Sequence, residues 1–125
     1  MIEELFKKYP ETAKAIVEFY TEAFKKSIED SNVDEVYKEY ARESVKIEDE
    51  NVAQMIELTP RGAFDFFDNN DIYIQISVDL ENKCFRYSFD GGLVESNDYL
   101  TRIAAEIRSV EVAFEILNNK LCQTV

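Results

Sequence analysis

Carboxylates are the side chains with the most chemistry to offer in this sequence. Its 125 residues hold 26 Asp and Glu against 14 Lys and Arg, and no histidine. Carboxylates can hold metals, move protons or meet a partner's cations, and spacing decides between these uses. The run Asp65-Phe66-Phe67-Asp68-Asn69-Asn70-Asp71 comes nearest to a metal loop. Calcium loops need oxygen ligands at alternate positions and a glycine at the sharp bend. Here two phenylalanines interrupt and the glycine is missing. The run is read instead as a capped turn, because Asn and Asp side chains bond nearby backbone.

Catalytic alternatives narrow quickly. Without histidine the commonest general base is gone, together with the Ser-His and Cys-His nucleophile pairs and most zinc sites. Gly62 stands alone and Gly91-Gly92 reads as a turn, so no glycine-rich phosphate loop is present. Burial can tune a Glu or Asp for acid–base work, but among 26 acids chance neighbours are guaranteed and no pair stands out. No catalytic residue, metal or cofactor is assigned. An enzyme built on this chain would have to run on Asp, Glu, Tyr, Cys or Lys alone.

Two uses of these acids remain: plain solubility, which accounts for most acidic proteins, and a surface that engages a basic partner. The formal net charge is -12 and it is unevenly spread. Residues 1–30 carry five cations and seven acids; residues 31–98 carry six and sixteen; residues 99–125 carry three of each. Nearly all the excess therefore sits in the middle of the chain. A surface of this sign repels nucleic acid and anionic membrane and attracts basic partners. The densest run is Glu48-Asp49-Glu50. With Asp68, Asp71, Asp79, Glu81, Asp90 and Glu95 it forms the candidate partner-binding set. Tyr73 joins them as the aromatic anchor, since an exposed Tyr among acids is a common interface residue. Direct nucleic-acid binding is not expected: aromatic platforms need Lys and Arg around them, and the central hairpin offers Lys83 and Arg86.

The expected function is that of a small acidic binding or inhibitor protein engaging a basic surface of another protein. Nucleases and other nucleic-acid-handling proteins present such surfaces. Immunity proteins and phage anti-defence inhibitors that mimic nucleic acid work this way, an analogy of class carried by no shared motif. The alternative is an obligate homodimer or complex subunit with a structural or ligand-holding role. It rests on Leu100, Ile103, Ile107, Val110, Phe114, Leu117 and Leu121, which alternate in steps of three and four. That spacing marks a helix seam able to pair with a second copy. Tyr99, Val112 and Ile116 lie off the seam, so this helix is apolar on more than one side. It is then either deeply buried or shared between subunits.

The elements that must position these groups follow from periodicity. Residues 1–125 read as a single α+β domain. It comprises N-terminal helices, a central antiparallel β-hairpin, either alone or extended to a small sheet of three or four strands, and a long C-terminal helix packed on it. In Ile72–Phe89 the apolar residues Ile72, Ile74, Ile76, Val78 and Leu80 occur at every second position, the period of a strand with one buried face. A two-residue turn at Glu81-Asn82 would make pairing partners sum to 163. Val78 then faces Phe85, Ile76 faces Tyr87 and Ile74 faces Phe89. A one-residue slip would mix the two faces.

Upstream, residues 2–9 and 10–30 read as helices, with Pro10 in a first turn. Asn32 and Glu35 suggest a capping box for a helix ending near Ser44, with Val33, Val36, Tyr37, Tyr40 and Ala41 inward. Val45 and Ile47 suggest a short edge strand. Residues 52–58 fit helix or strand, with a lean to helix. Thr59-Pro60 opens a short helix bearing Ala63, Phe64, Phe66 and Phe67. Leu93-Val94 suggests a third strand, and Ser96-Asn97-Asp98 offers caps for the last helix. Cys84 and Cys122 match no zinc or redox spacing and are expected as free thiols in a reducing compartment. With no signal core and no long apolar run, the expected location is the cytoplasm.

Overall fold

A computed structural model describes residues 2–44, 47–89, 94–95 and 98–123. The order of elements is α1 (Ile2–Lys8), α2 (Pro10–Glu29), α3 (Glu35–Ser44), α4 (Asp49–Leu58), a 3-10 turn (Pro60–Ala63), α5 (Phe64–Asp68), β1 (Ile74–Asp79), β2 (Cys84–Phe89), β3 (Val94–Glu95) and α6 (Arg102–Cys122). This is an α+β architecture. β1, β2 and β3 form an antiparallel sheet in that order, β3 being two residues long. The expected edge strand at Val45–Ile47 and the turn at Asp90-Gly91-Gly92 involve residues outside those described, as do Leu93, Ser96 and Asn97.

The helices form where sequence and end chemistry agree. In α1, Glu3 and Glu4 occupy the first turn and Lys7 and Lys8 the last, each opposing the helix dipole favourably. Pro10 opens α2, where its missing N–H costs nothing. α4 resolves the ambiguity at residues 52–58 in favour of helix, and its start is well built. The Glu48 side chain accepts from the Asn51 backbone, and the Asn51 side chain accepts from Glu48 N–H at 3.0 Å. This reciprocal cap satisfies two otherwise orphaned donors.

One apolar cluster joins these elements. Ile2, Leu5 and Phe6 of α1, Ile16 of α2, Val52 and Ile56 of α4, Phe66 and Phe67 of α5, Tyr87 and Phe89 of β2, and Val110, Phe114 and Leu117 of α6 are all buried. A chain of aromatic contacts crosses it. Phe19 meets Phe66 at 5.5 Å between centroids, Phe66 meets Phe67 at 5.0 Å, Phe67 meets Phe114 at 5.8 Å and Phe114 meets Phe6 at 5.5 Å. Each pair adds about 0.5–1.5 kcal/mol beyond its buried area. The Thr12 hydroxyl donates to the Phe114 carbonyl at 3.1 Å, a buried bond that fixes α2 against α6.

The two-sided apolarity of α6 is used inside the chain, because α6 packs against both α2 and the hairpin. Val110, Phe114 and Leu117, the middle of the proposed seam, are at most 2% exposed within one copy. They are spent on the chain's own core, so a second copy could reach only the ends of the seam. Of those ends, Ile103 and Leu121 stay exposed and Ile107 is half-buried. Leu100 precedes the helix altogether and is 89% exposed. The α6 cap is not Ser96-Asn97-Asp98 but Thr101, whose hydroxyl accepts from Ala104 N–H at 3.2 Å. Asp98 is instead drawn to Arg86, at 2.5 Å.

The hairpin holds the expected register: Ile74 pairs with Phe89, Ile76 with Tyr87 and Val78 with Phe85. The turn differs. Strand pairing stops at Asp79 and Cys84, leaving four residues, Leu80 to Lys83, in the connection. The Asp79 carboxylate explains this. It accepts from the backbones of Glu81 and Asn82, both at 3.1 Å, and from the Asn82 amide at 2.9 Å, closing the turn one residue early. Lys83 takes a positive φ of 52° to complete it. Leu80, expected inward, is consequently 82% exposed.

Candidate functional site

The sequence-derived acids fall at three element ends. Glu48 is consumed as the α4 cap, and Asp49 and Glu50 follow it, exposed, in the first turn. Those two border a shallow groove with Glu3, Phe6 and Lys7 of α1. Asp68 ends α5, and Asp71 sits in the next turn with φ 61°. The Tyr73 hydroxyl donates to Asp71 at 3.4 Å. Asp79 and Glu81 lie at the hairpin turn. Asp90 is outside the described residues, and Glu95 is placed only as the backbone partner of Ser88.

The length of β1 keeps two of these groups apart. Asp71 and Tyr73 precede the strand, whereas Asp79 and Glu81 end it. Six residues at about 3.3 Å each separate them by roughly 20 Å. Asp79 is further committed to its own turn and to Arg86, 3.4 Å away. These contacts, the Asn82 backbone N–H foremost, hold its carboxyl below the ordinary range. An acid so engaged is a structural group.

A different surface brings aromatic and acidic side chains together. α3 packs on α2, and the face expected to point inward is largely open. Val36 is 79% exposed, Tyr37 60% and Tyr40 68%, while Ala41 is half-buried. The reason lies in the cations of α3. Arg42 Nε contacts the Glu29 carboxylate of α2 at 2.6 Å, and Lys38 Nζ donates to the Glu29 carbonyl at 2.9 Å. Both also flank Glu35 at 3.7 Å. These contacts tether the Lys38–Arg42 side of the helix to α2, leaving Tyr40 on the open side and Tyr37 at the rim of the α2–α3 junction. The expected Asn32 capping box is replaced by Asp34, whose carboxylate accepts from Tyr37 N–H at 2.9 Å.

The result is an outward strip carrying Val36, Tyr37 and Tyr40 beside Glu39 and Glu43, whose carboxylates have no ion-pair partner among the described residues. Next to it, Ser27, Ile28, Ser31, Val33, Tyr37 and Ala41 line an open cleft of about 220 Å³ between α2 and α3. Sequence periodicity placed Val36, Tyr37, Tyr40 and Ala41 on one helix face but assigned that face to the core, and it included Val33, which precedes the helix and is exposed. The available signal was residue type: the strip uses Tyr, with a polar tip, where core helices of this chain use Phe, Ile and Leu.

Titratable groups elsewhere move away from neutrality. Tyr20, half-buried with its hydroxyl unpartnered among the described residues, is pushed up from 10.0 to about 12 by burial and then by Asp65. Burial raises Tyr87 and Cys84 as well. Among the described residues no group of three or more Cys, Asp or Glu could hold a metal ion, and no helix is long and apolar enough to cross a membrane. The chain matches no protein-family model, no curated protein and no solved structure.

Proposed function

We propose that this chain is a small acidic binding protein that docks on a basic surface of a partner protein and uses the outward strip of α3 as its recognition element. The carrying observation is the arrangement of α3: its two cations are turned onto α2, leaving Tyr37 and Tyr40 exposed beside Glu39 and Glu43, which have no ion-pair partner among the described residues. Tyrosine supplies a large contact area with few rotatable bonds and dominates many interface energies. Glutamates around it favour lysine and arginine on the other side and speed encounter. The α2–α3 cleft could receive the aliphatic stem of such a residue.

A groove that binds nucleic acid is the basic surface best matched to this strip, so the proposed action is competition with DNA or RNA for a nuclease or related protein. The chain acts by occupation and not by catalysis. Free thiols at buried Cys84 and exposed Cys122 suit a reducing cytoplasm.

Affinity capture from the native host, followed by salt titration and nucleic-acid competition, tests this. The expected partner is basic, releases as salt rises, and is displaced by duplex DNA or RNA. A partner that binds equally at low and high salt and ignores nucleic acid would remove the support for the reading.

A further inference from the structure

The exposed large apolar side chains fall mainly into two sets. Val33, Val36, Tyr37 and Tyr40 belong to α3 and its approach; Val78, Leu80, Leu100 and Ile103 belong to the turn end of the sheet and the start of α6. The second set surrounds one row. Val78 pairs with Phe85, and Phe85 bridges to Tyr99. The Arg102 guanidinium lies over the Phe85 ring, 5.1 Å from its centroid. Leu80 continues the chain beyond Val78, while Leu100 and Ile103 adjoin Tyr99 and Arg102. Leu100 and Ile103 are also the end of the α6 seam that the core leaves open.

The two sets carry opposite local charge. Glu39 and Glu43 stand by the α3 tyrosines, and the cations of that helix are engaged on Glu29 and Glu35. At the turn end it is the acids that are engaged: Arg86 holds both Asp79 and Asp98. Lys83 and Arg102 have no ion-pair partner among the described residues, and Glu81 is the acid left beside them. An exposed apolar patch framed by cations thus stands on a chain whose net charge is -12.

We infer that the turn end of the sheet docks on the α3 strip of a second copy, apolar group against apolar group, with Lys83 and Arg102 facing the tyrosine rings and Glu39 and Glu43. A second copy is the occupant because its strip supplies both halves of the match, aromatic faces and glutamates. Within one copy both sets stay exposed, so neither covers the other. At physiological ionic strength, charges more than about 8 Å apart are largely screened, so the groups in contact count for more than the overall sign of the chain. The contact joins two different surfaces, so it runs head to tail and leaves one of each free at the ends. It rests on the reading of the α3 strip as a site for basic groups and adds its regulation: the free protein masks its own strip until a more basic partner displaces the turn end.

Sedimentation velocity on the purified protein at physiological salt tests this. Contacts of a few side chains are weak, so the average mass should rise over concentrations on the order of 0.1–1 mM. Two variants separate the surfaces: Lys83→Glu with Arg102→Glu, and Tyr37→Ala with Tyr40→Ala. Each alone should associate at least about tenfold more weakly, with its circular dichroism unchanged. Mixed in equal amounts, they should form a pair of one copy each and grow no further, because each keeps the surface that the other lacks. Leu80→Glu, at an exposed position, repeats the first variant without disturbing Arg102 over Phe85. A strict monomer across the range would overturn the inference. So would a variant that associates like the unaltered protein, or a mixture no heavier than its components. The first variant keeps the α3 strip, so its capture of a basic partner reports on the proposed function separately.

Discussion

Arg42 of α3 reaches across to Glu29 of α2, with Nε 2.6 Å from the carboxylate. This contact and its neighbour at Lys38 orient the third helix. Ion pairs this exposed are each worth about 0–1 kcal/mol, and none of the described side chains of α3 is fully buried. The helix that carries the proposed recognition strip is therefore held lightly, while the core beneath is held by aromatic packing.

That difference predicts uneven hydrogen exchange. Amides of α3 should exchange through local opening, well below the global unfolding free energy, whereas those of α6 around Val110–Leu117 should exchange only with global unfolding. Arg42→Ala should speed exchange in α3 and leave the urea midpoint nearly unchanged. Equal protection of the two helices would contradict this.

Phe114 is 0% exposed and touches both Phe6 and Phe67. Phe114→Ala should cost about 3–5 kcal/mol, a large share of the roughly 5–15 kcal/mol typical of a domain. Urea denaturation measures it. A loss under about 1 kcal/mol would show that the aromatic chain does not organise the core.

Tyr20 should behave as an outlier in an alkaline titration. Its pKa is raised to about 12 from 10.0, so the folded state favours the neutral phenol. The corresponding stability is complete below pH 10 and is lost as pH rises from there toward 12. Followed by ultraviolet absorbance, the last tyrosine to ionise should be Tyr20, after a delayed Tyr87, and Tyr20→Phe should remove that last step. Because the hydroxyl is buried without a partner among the described residues, the same substitution should be neutral or stabilising, by up to about 1–3 kcal/mol. Clear destabilisation would mean that the hydroxyl has a partner in solution.

Asp79 gives the acid counterpart. Its folded pKa lies below the usual 3.8. Its stabilising effect is therefore present above that value and fades as pH falls through the lowered one. Asp79→Asn should flatten the acid limb of the stability curve and loosen the hairpin turn at neutral pH. An unchanged acid limb would show that the turn does not depend on the charged carboxylate.

Sequence pattern revealed the hairpin register because a slip of one residue would exchange Ile76 and Tyr87 for Gln75 and Arg86 on the covered face. It also revealed the long C-terminal helix, whose apolar residues recur along its whole length. It misplaced Leu80, because alternation says nothing about the Asp79 carboxylate closing the turn early. It misplaced the α3 strip for a related reason. Val36, Tyr37 and Tyr40 have core spacing, and the contacts from Lys38 and Arg42 to Glu29 that turn them outward join residues of different helices. The candidate acids were legible as a charge excess, but their separation along β1 and the capping duty of Glu48 appear only in the folded chain.

The affinity of Tyr37→Ala and Tyr40→Ala for the captured basic partner, measured beside the unaltered protein at two salt concentrations, tests the central claim most directly. Each substitution should weaken binding at least about tenfold, equivalent to about 1.4 kcal/mol, with the fold retained and the salt dependence preserved. Affinities that match the unaltered protein within twofold at both salts would contradict the assignment of α3 as the recognition element.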